Sequence, residues 1–182
     1  AVFAVDTEAH TVFPLQEAAD PEGLAQSILG IESDGGGIYV RSAIEACLGE
    51  LKGAKQKIRH ILLFADADDA EEQEGVPELL EQMATDGITL SVVALGGPGG
   101  SDATFLARTA QQGGGDIYFA QNATELPRLF AMDTMIVSNR GFVTGARAAE
   151  TILGLAGLGG PGGGRFPARG GYNVSLPKPG AQ

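Results

Sequence analysis

A single cysteine, Cys47, in 182 residues excludes an internal disulfide and a zinc site built from thiolates. Tryptophan is absent and aromatic residues make up 6%, so any core must be built from aliphatic side chains and alanine; the 43% hydrophobic content is enough for one. Basic residues are scarce as well: 12 Lys and Arg against 23 Asp and Glu leave a net charge of −11. Such a chain repels phosphate backbones and anionic lipid surfaces, which argues against nucleic acid as a partner. No run reaches the roughly 20 apolar residues of a membrane span, so no insertion by this segment is expected. No signal peptide is present, and Ala1 already lies within a strand-like stretch, the expectation for a piece of a larger protein.

What is present alternates between strand and helix. AVFAVD (1–6) and TVFPL (11–15) flank a polar turn and read as a hairpin. Asp20-Pro21 supplies a cap and a first-position proline for a short helix with Leu24, Ile28 and Ile31 on its apolar face. After the run Gly35-Gly36-Gly37, the residues Val40, Ile44, Cys47, Leu48 and Leu51 fall on one helical face, which places Cys47 in packing rather than chemistry. Ile58 to Ala65 (IRHILLFA) is continuously apolar at its centre, as in a strand buried on both faces. An acidic stretch from Asp66 to Glu74 leads to a helix over Val76–Ala84 with Leu79, Leu80 and Met83 inward. A second buried strand, Ile88–Leu95, then a helix over Asp102–Gln112, a third strand Asp116–Ala120 and a helix over Asn122–Met132 with Thr124 as its cap complete the pattern. Strands alternating with helices of about ten residues imply an α/β layered fold with a mostly parallel sheet. From Gly154 the composition turns to Gly and Pro, too little apolar surface to offset ordering entropy, so residues 141–182 are expected to form a disordered tail beside a domain over 1–140.

The order of these pieces resembles a von Willebrand factor A-type (vWA) domain. The matching segments are HILLFADADD, a strand delivering Asp66 to its tip; DGITLSVVALG; FLARTAQQGGGDIYF; and NATELPRLF. Upstream, AVFAVDTEAHTVFPL resembles the family's second and third strands, and GGGIYVRSAIEACLGEL its glycine loop and following helix. The likeness is nearest to A-type domains of large bacterial envelope proteins. It implies a three-layer Rossmann-like sheet, mostly parallel with a hairpin edge, from which the central first strand is missing. It also implies a non-enzymatic protein–protein interaction module whose partner is another protein or another domain of the parent chain. A soluble domain of a membrane-anchored or envelope protein is the implied setting.

The family's metal site combines an Asp-x-Ser-x-Ser loop, a Thr after the glycine loop and an Asp after the fourth strand, oxygen donors suited to Mg²⁺. Only Asp66 matches directly. Ile38 and Tyr39 stand where the Thr is expected, Ser42 is a substitute hydroxyl one helical turn further on, and no Asp-x-Ser-x-Ser occurs. The site is therefore degenerate: no cofactor is expected in this chain, with Asp66 and Ser42 as residual ligands and Mg²⁺ expected only in a longer parent. Removal of the central strand would leave two open edges facing an empty slot, each a template for improper pairing. Either the tail (Tyr172 to Leu176 offers a short strand), another chain, or closure of the flanking strands would fill it, and the isolated chain is expected to be marginally stable or prone to aggregate.

A competing chemistry starts from Asp66-Ala67-Asp68. An apolar strand ending in Asp-x-Asp also resembles haloacid-dehalogenase-type phosphohydrolases, in which the first Asp attacks phosphorus, the second is the acid/base and Mg²⁺ neutralises the phosphate. Here more acid follows the motif, it sits late in the chain, and Lys178 is the only lysine downstream of it. The acidic run lacks the spacing of a calcium-binding hand. Gly96-Gly97-Pro98-Gly99-Gly100-Ser101 lacks both dinucleotide and P-loop spacing and reads as a turn. His10 and His60 read as surface residues with no nucleophile or acid beside them. The candidate binding face is the carboxyl end of the strands: Gly35 to Ser42, Asp66 to Asp69 and Gly96 to Ser101.

Overall fold

The computed structural model describes residues 1–32, 35–139, 143–147 and 169–172. They fall into two compact units, Ala1–Thr134 and Met135–Gln182. The first contains an antiparallel hairpin, β1 (Val2–Val5) and β2 (Ala9–Phe13), followed by the helices α1 (Pro21–Leu29) and α2 (Val40–Leu51). Strand β3 (His60–Asp66), helix α3 (Val76–Asp86), strand β4 (Thr89–Leu95), helix α4 (Ala103–Gln112) and strand β5 (Gly114–Ala120) form a right-reading α/β succession. A 3-10 turn at Ala123–Glu125 leads into α5 (Leu126–Asn139), which runs into the second unit.

Strands β3, β4 and β5 make a parallel sheet in that spatial order. Its two faces follow the period-2 alternation of side chains. Ile61, Leu63, Ala65, Leu90, Val92 and Ala94 face the helices α2, α3 and α4, which contribute Ile44, Leu80, Met83 and Leu106 to one continuous core. On the opposite face Val93, Ala120 and Leu129 form a smaller cluster with Leu62, Tyr118, Leu126 and Met132, so α5 is the third layer. This is the three-layer Rossmann-like arrangement that the resemblance implies.

Strand β4 is buried over Leu90–Ala94, as expected for a central strand; each of its valines contributes roughly 1.5–3 kcal/mol by leaving water. Strand β3 departs from the expectation of burial on both faces. Only alternate residues are buried, and Phe64 is 43% exposed. The reason is positional: among the described residues β3 is an edge of its sheet, and the cluster under α5 takes in its Leu62 but not Phe64. Helix α1 has no buried residue: Ile28 is 46% exposed, and Ile31, 41% exposed, lies past the helix end at Leu29 rather than on its face.

Other boundaries follow from local chemistry. Asp20 accepts a hydrogen bond from the Gly23 amide (3.0 Å), with Pro21 at the first helical position, as the sequence predicts. Asn122, not Thr124, is the acceptor at the last helix: its side chain takes the Thr124 amide (3.0 Å) and the Thr124 hydroxyl. In β5, three residues (114 to 117) advance against two in β4 (90 to 92), a bulge filled by the buried Ser91 hydroxyl, which accepts the Asp116 amide (3.1 Å). Cys47 packs against the core, and burial pushes its thiol up to about 11.

The hairpin is not hydrogen-bonded to the parallel sheet. Closure of the flanking strands onto one another, one of the outcomes expected for the missing central strand, is therefore not what occurs. In the second unit β6 (Val143–Arg147) pairs antiparallel with β7 (Arg169–Tyr172). The expectation of a disordered tail over the rest of 141–182, and of a strand continuing to Leu176, lies outside the described residues.

Candidate functional site

The candidate face is built from loops at the carboxyl ends of β3 and β4, and main-chain hydrogen bonds fix each loop to its neighbours. The glycine loop enters past the end of β1, where the Tyr39 amide donates to the Asp6 carbonyl (3.0 Å). Residues 38–40 then run alongside the acidic loop: the Glu71 amide donates to the Ile38 carbonyl (2.8 Å) and the Val40 amide to the Glu71 carbonyl (3.1 Å). A β-carbon at Gly37 would lie 2.8 Å from the Glu71 carboxyl carbon, a contact that this flexible side chain could relieve by moving aside. The third loop is tied by the Asp102 amide to the Ala67 carbonyl (2.9 Å).

Every carboxylate with a resolved role on this face accepts a hydrogen bond from the protein. Asp66 Oδ1 accepts the Asp68 amide (2.9 Å), and Asp68 Oδ1 accepts the Ser101 amide (2.8 Å). Asp102, at the start of α4, turns away from its own helix and accepts the Ala70 amide (3.2 Å) and the Gln73 side-chain amide (2.7 Å). Glu72 accepts both the Ser42 amide (3.0 Å) and the Ser42 hydroxyl (2.7 Å). This last pair has a clear cause. Helix α2 opens at Tyr39, which makes no side-chain cap, so its first-turn amides need an acceptor from outside, and a carboxylate there also suits the helix dipole. Glu72 pays for the position with a left-handed backbone, φ 55°. Sequence reasoning saw Glu72 only as one of a run of acids; the uncapped start of α2 signalled a vacancy but not the acceptor that fills it.

Asp66 thus stands where expected, at the tip of β3, and Ser42 in the first turn of α2. Their polar atoms are engaged separately, Asp66 with the Asp68 amide and Ser42 with Glu72. Among the described residues no group of three or more His, Cys, Asp or Glu is placed to hold a metal ion. Asp66 and Ser42 alone are a poor fit to Mg²⁺, which demands near-octahedral oxygen coordination. At the edge of the face, hydrogen bonds from the Glu8 amide (2.9 Å) and then the His10 ring (3.1 Å) hold the Asp6 carboxyl below its usual range.

At the opposite end of the sheet, His60 is not a surface residue without partners. Its Nδ1 meets Thr89 Oγ1 (2.7 Å) and its Nε2 meets Asp133 Oδ2 (3.0 Å), while the Tyr118 hydroxyl donates to Asp133 Oδ1 (3.2 Å). Asp133 lies 73 residues further along, on α5, which is why inspection of neighbouring positions does not find it. The cluster fastens α5 to all three parallel strands, with the Asp133 side chain 1% and that of His60 11% exposed.

No family model matches the chain, and no curated protein matches it in sequence. Solved structures do match. The conserved hypothetical protein BatB from Bacteroides thetaiotaomicron superposes with a TM-score of 0.59 at 16% identity, covering 75% of this chain and 77% of that one. An aerotolerance-related membrane protein from Bacteroides fragilis NCTC 9343 gives 0.57 at 14% identity over 74% and 77%. Proximal thread matrix protein 1 from the mussel byssus gives 0.55 at 15% identity, covering 79% of this chain and 37% of its own. At these identities the shared property is the fold.

Proposed function

We propose that the chain is a vWA-type protein-interaction module, not an enzyme, with a degenerate metal site. Its partner is another protein or another domain of its parent, and the parent is a bacterial envelope protein. The observation that carries this reading is the state of the upper loops. Ser42 and Asp68, the residues that would have to serve a cation or a phosphoryl group beside Asp66, instead bond Glu72 and the Ser101 amide, which makes them braces of a preshaped surface. The similar folds of BatB and the aerotolerance-related membrane protein support the vWA assignment and suggest the envelope setting. No helix among the described residues is long and apolar enough to cross a membrane, in keeping with a domain that faces water.

Amide NMR during a magnesium titration tests the metal half of this proposal. The expected result is no saturable shift at Ser42, Asp66 or Asp68 up to millimolar ion. Saturable shifts confined to those residues would show a working site. Hydrolysis of p-nitrophenyl phosphate that needs magnesium and disappears in Asp66→Asn would overturn the non-enzymatic reading.

A further inference from the structure

The basic residues of this acidic chain are not spread evenly. Between Glu50 and Asp66 there is no carboxylate, and Lys52, Lys55, Lys57 and Arg59 all fall in that stretch. They occupy the loop from the end of α2 at Leu51 to the start of β3 at His60. Lys52, Lys55 and Lys57 are exposed. Among the described residues the ion pairs join His10 to Asp6, Arg41 to Glu45, His60 to Asp133 and Arg128 to Glu125, so none involves these lysines. Glu50, the acid that precedes the loop in sequence, accepts the Leu15 amide instead (2.8 Å). Arg59 is the exception, folded back to donate to the Asp86 carbonyl. Ile58 stands between Lys57 and Arg59 and is 46% exposed.

Folding therefore gives the first unit a charge axis along β3. Asp66, at the far end of the strand, opens the acidic run that continues to Glu74. Seven residues at roughly 3.3 Å each put about 20 Å between the two ends. Charges are screened over about 8 Å at physiological salt, so the loop presents its own positive potential despite the net charge of −11. The mean charge argues against an anionic surface; the local charge argues for one. Three features select the occupant. Lysine ammonium groups are point charges on flexible stems, suited to several phosphates in shifting positions rather than to one phosphate in a fixed fork. An exposed isoleucine among them finds no counterpart on an acidic protein surface or a nucleic-acid backbone, but it fits a boundary where phosphates overlie hydrocarbon. A second copy of the chain would bring a charge of −11 against the same charge here.

We propose that the α2–β3 loop is a peripheral contact for the headgroups of anionic phospholipid, with Lys52, Lys55 and Lys57 supplying charge and Ile58 entering the interface. Each lysine near such a surface is worth about a fivefold gain in partition, so three give roughly a hundredfold. That is weak for a free domain and sufficient to orient one whose parent is already at a membrane. The inference rests on the envelope setting proposed above only for this consequence. It uses neither Asp66 nor Ser42, so the magnesium titration can fail without touching it, and the reverse.

The test is co-sedimentation of the whole chain with vesicles of equal parts phosphatidylglycerol and phosphatidylcholine, at physiological salt and excess lipid. The sedimenting fraction is expected to exceed that with phosphatidylcholine alone and to return to it at molar salt. Lys55→Gln should lower partition about fivefold, and Ile58→Ser severalfold. The triple change Lys52→Gln, Lys55→Gln and Lys57→Gln should bring it to the phosphatidylcholine level with an unchanged thermal midpoint. Amide NMR separates the sources of phosphate: millimolar glycerol phosphate is expected to leave residues 52–59 unshifted, whereas nanodiscs of the mixed lipid broaden them. Equal sedimentation with both lipids, a triple variant within twofold of the parent, or loop shifts reproduced by glycerol phosphate would overturn the proposal. So would a concentration-dependent dimer that shifts the same amides, since the loop's partner would then be a second copy.

Discussion

Replacement of His60 by alanine should be among the more damaging single changes in the first unit. The substitution removes the partner of Asp133 Oδ2 and leaves a carboxylate that is 1% exposed with the Tyr118 hydroxyl as its remaining side-chain donor. Breaking a buried pair by removal of one member costs roughly 3–5 kcal/mol, because the other charge stays desolvated. His60 is 11% exposed, so water can enter part of the space, and the lower figure, about 3 kcal/mol, applies. With a urea dependence of roughly 2 kcal/mol per molar for a small domain, the midpoint should fall by about 1.5 M. Tyr118→Phe, which removes one neutral donor, should cost only about 1 kcal/mol. The double change His60→Ala with Asp133→Ala should cost less than the sum of the singles, because it deletes the stranded carboxylate along with its partner. A His60→Ala midpoint within about 0.4 M of the parent, or strict additivity in the cycle, would refute the reasoning.

Glu72→Ala removes the acceptor for the first turn of α2 and should cost about 1 kcal/mol, whereas Glu72→Gly also loses it but relieves the φ of 55° and should lie closer to the parent in a thermal melt. Gly115→Ala would place a β-carbon 2.6 Å from the Ser91 hydroxyl oxygen and against the Leu90 carbonyl, prising β5 from β4; a loss of about 2 kcal/mol or more in urea is expected. For Cys47, a folded thiol pKa of about 11 against 9.0 means the folded state holds its proton where the unfolded state has lost it. Stability should therefore be unaffected below pH 9 and decline between pH 9 and 11, by roughly 2–3 kcal/mol in all, a decline that Cys47→Ala should remove.

The legible part of the fold is the part with local periodicity. The face Val40, Ile44, Leu48 of α2, the apolar run of β4 and the Asp20-Pro21 start of α1 each carry their structural reason within a few residues. The misread part depends on what lies opposite. Strand β3 carries the composition of a doubly buried strand, yet the cluster under α5 reaches its Leu62 and leaves Phe64 open, a fact set by packing. The same holds at the site. Asp66 is readable from its place at the end of an apolar strand. The engagement of Ser42 by Glu72, 30 residues away, and of His60 by Asp133, 73 away, is set by the fold and has no trace in spacing.

The central structural claim is that, among the described residues, the parallel sheet ends at β3 and opens onto a cleft. Residue-resolved hydrogen exchange in the free chain tests it most directly. Strand β4, paired on both sides, should exchange only through global unfolding. Along Ile61–Ala65 the account predicts alternation, every second amide protected by β4 and those between exchanging orders of magnitude faster from the cleft side. Uniform protection of β3 at the level of β4 would contradict it, since the edge would then already be paired.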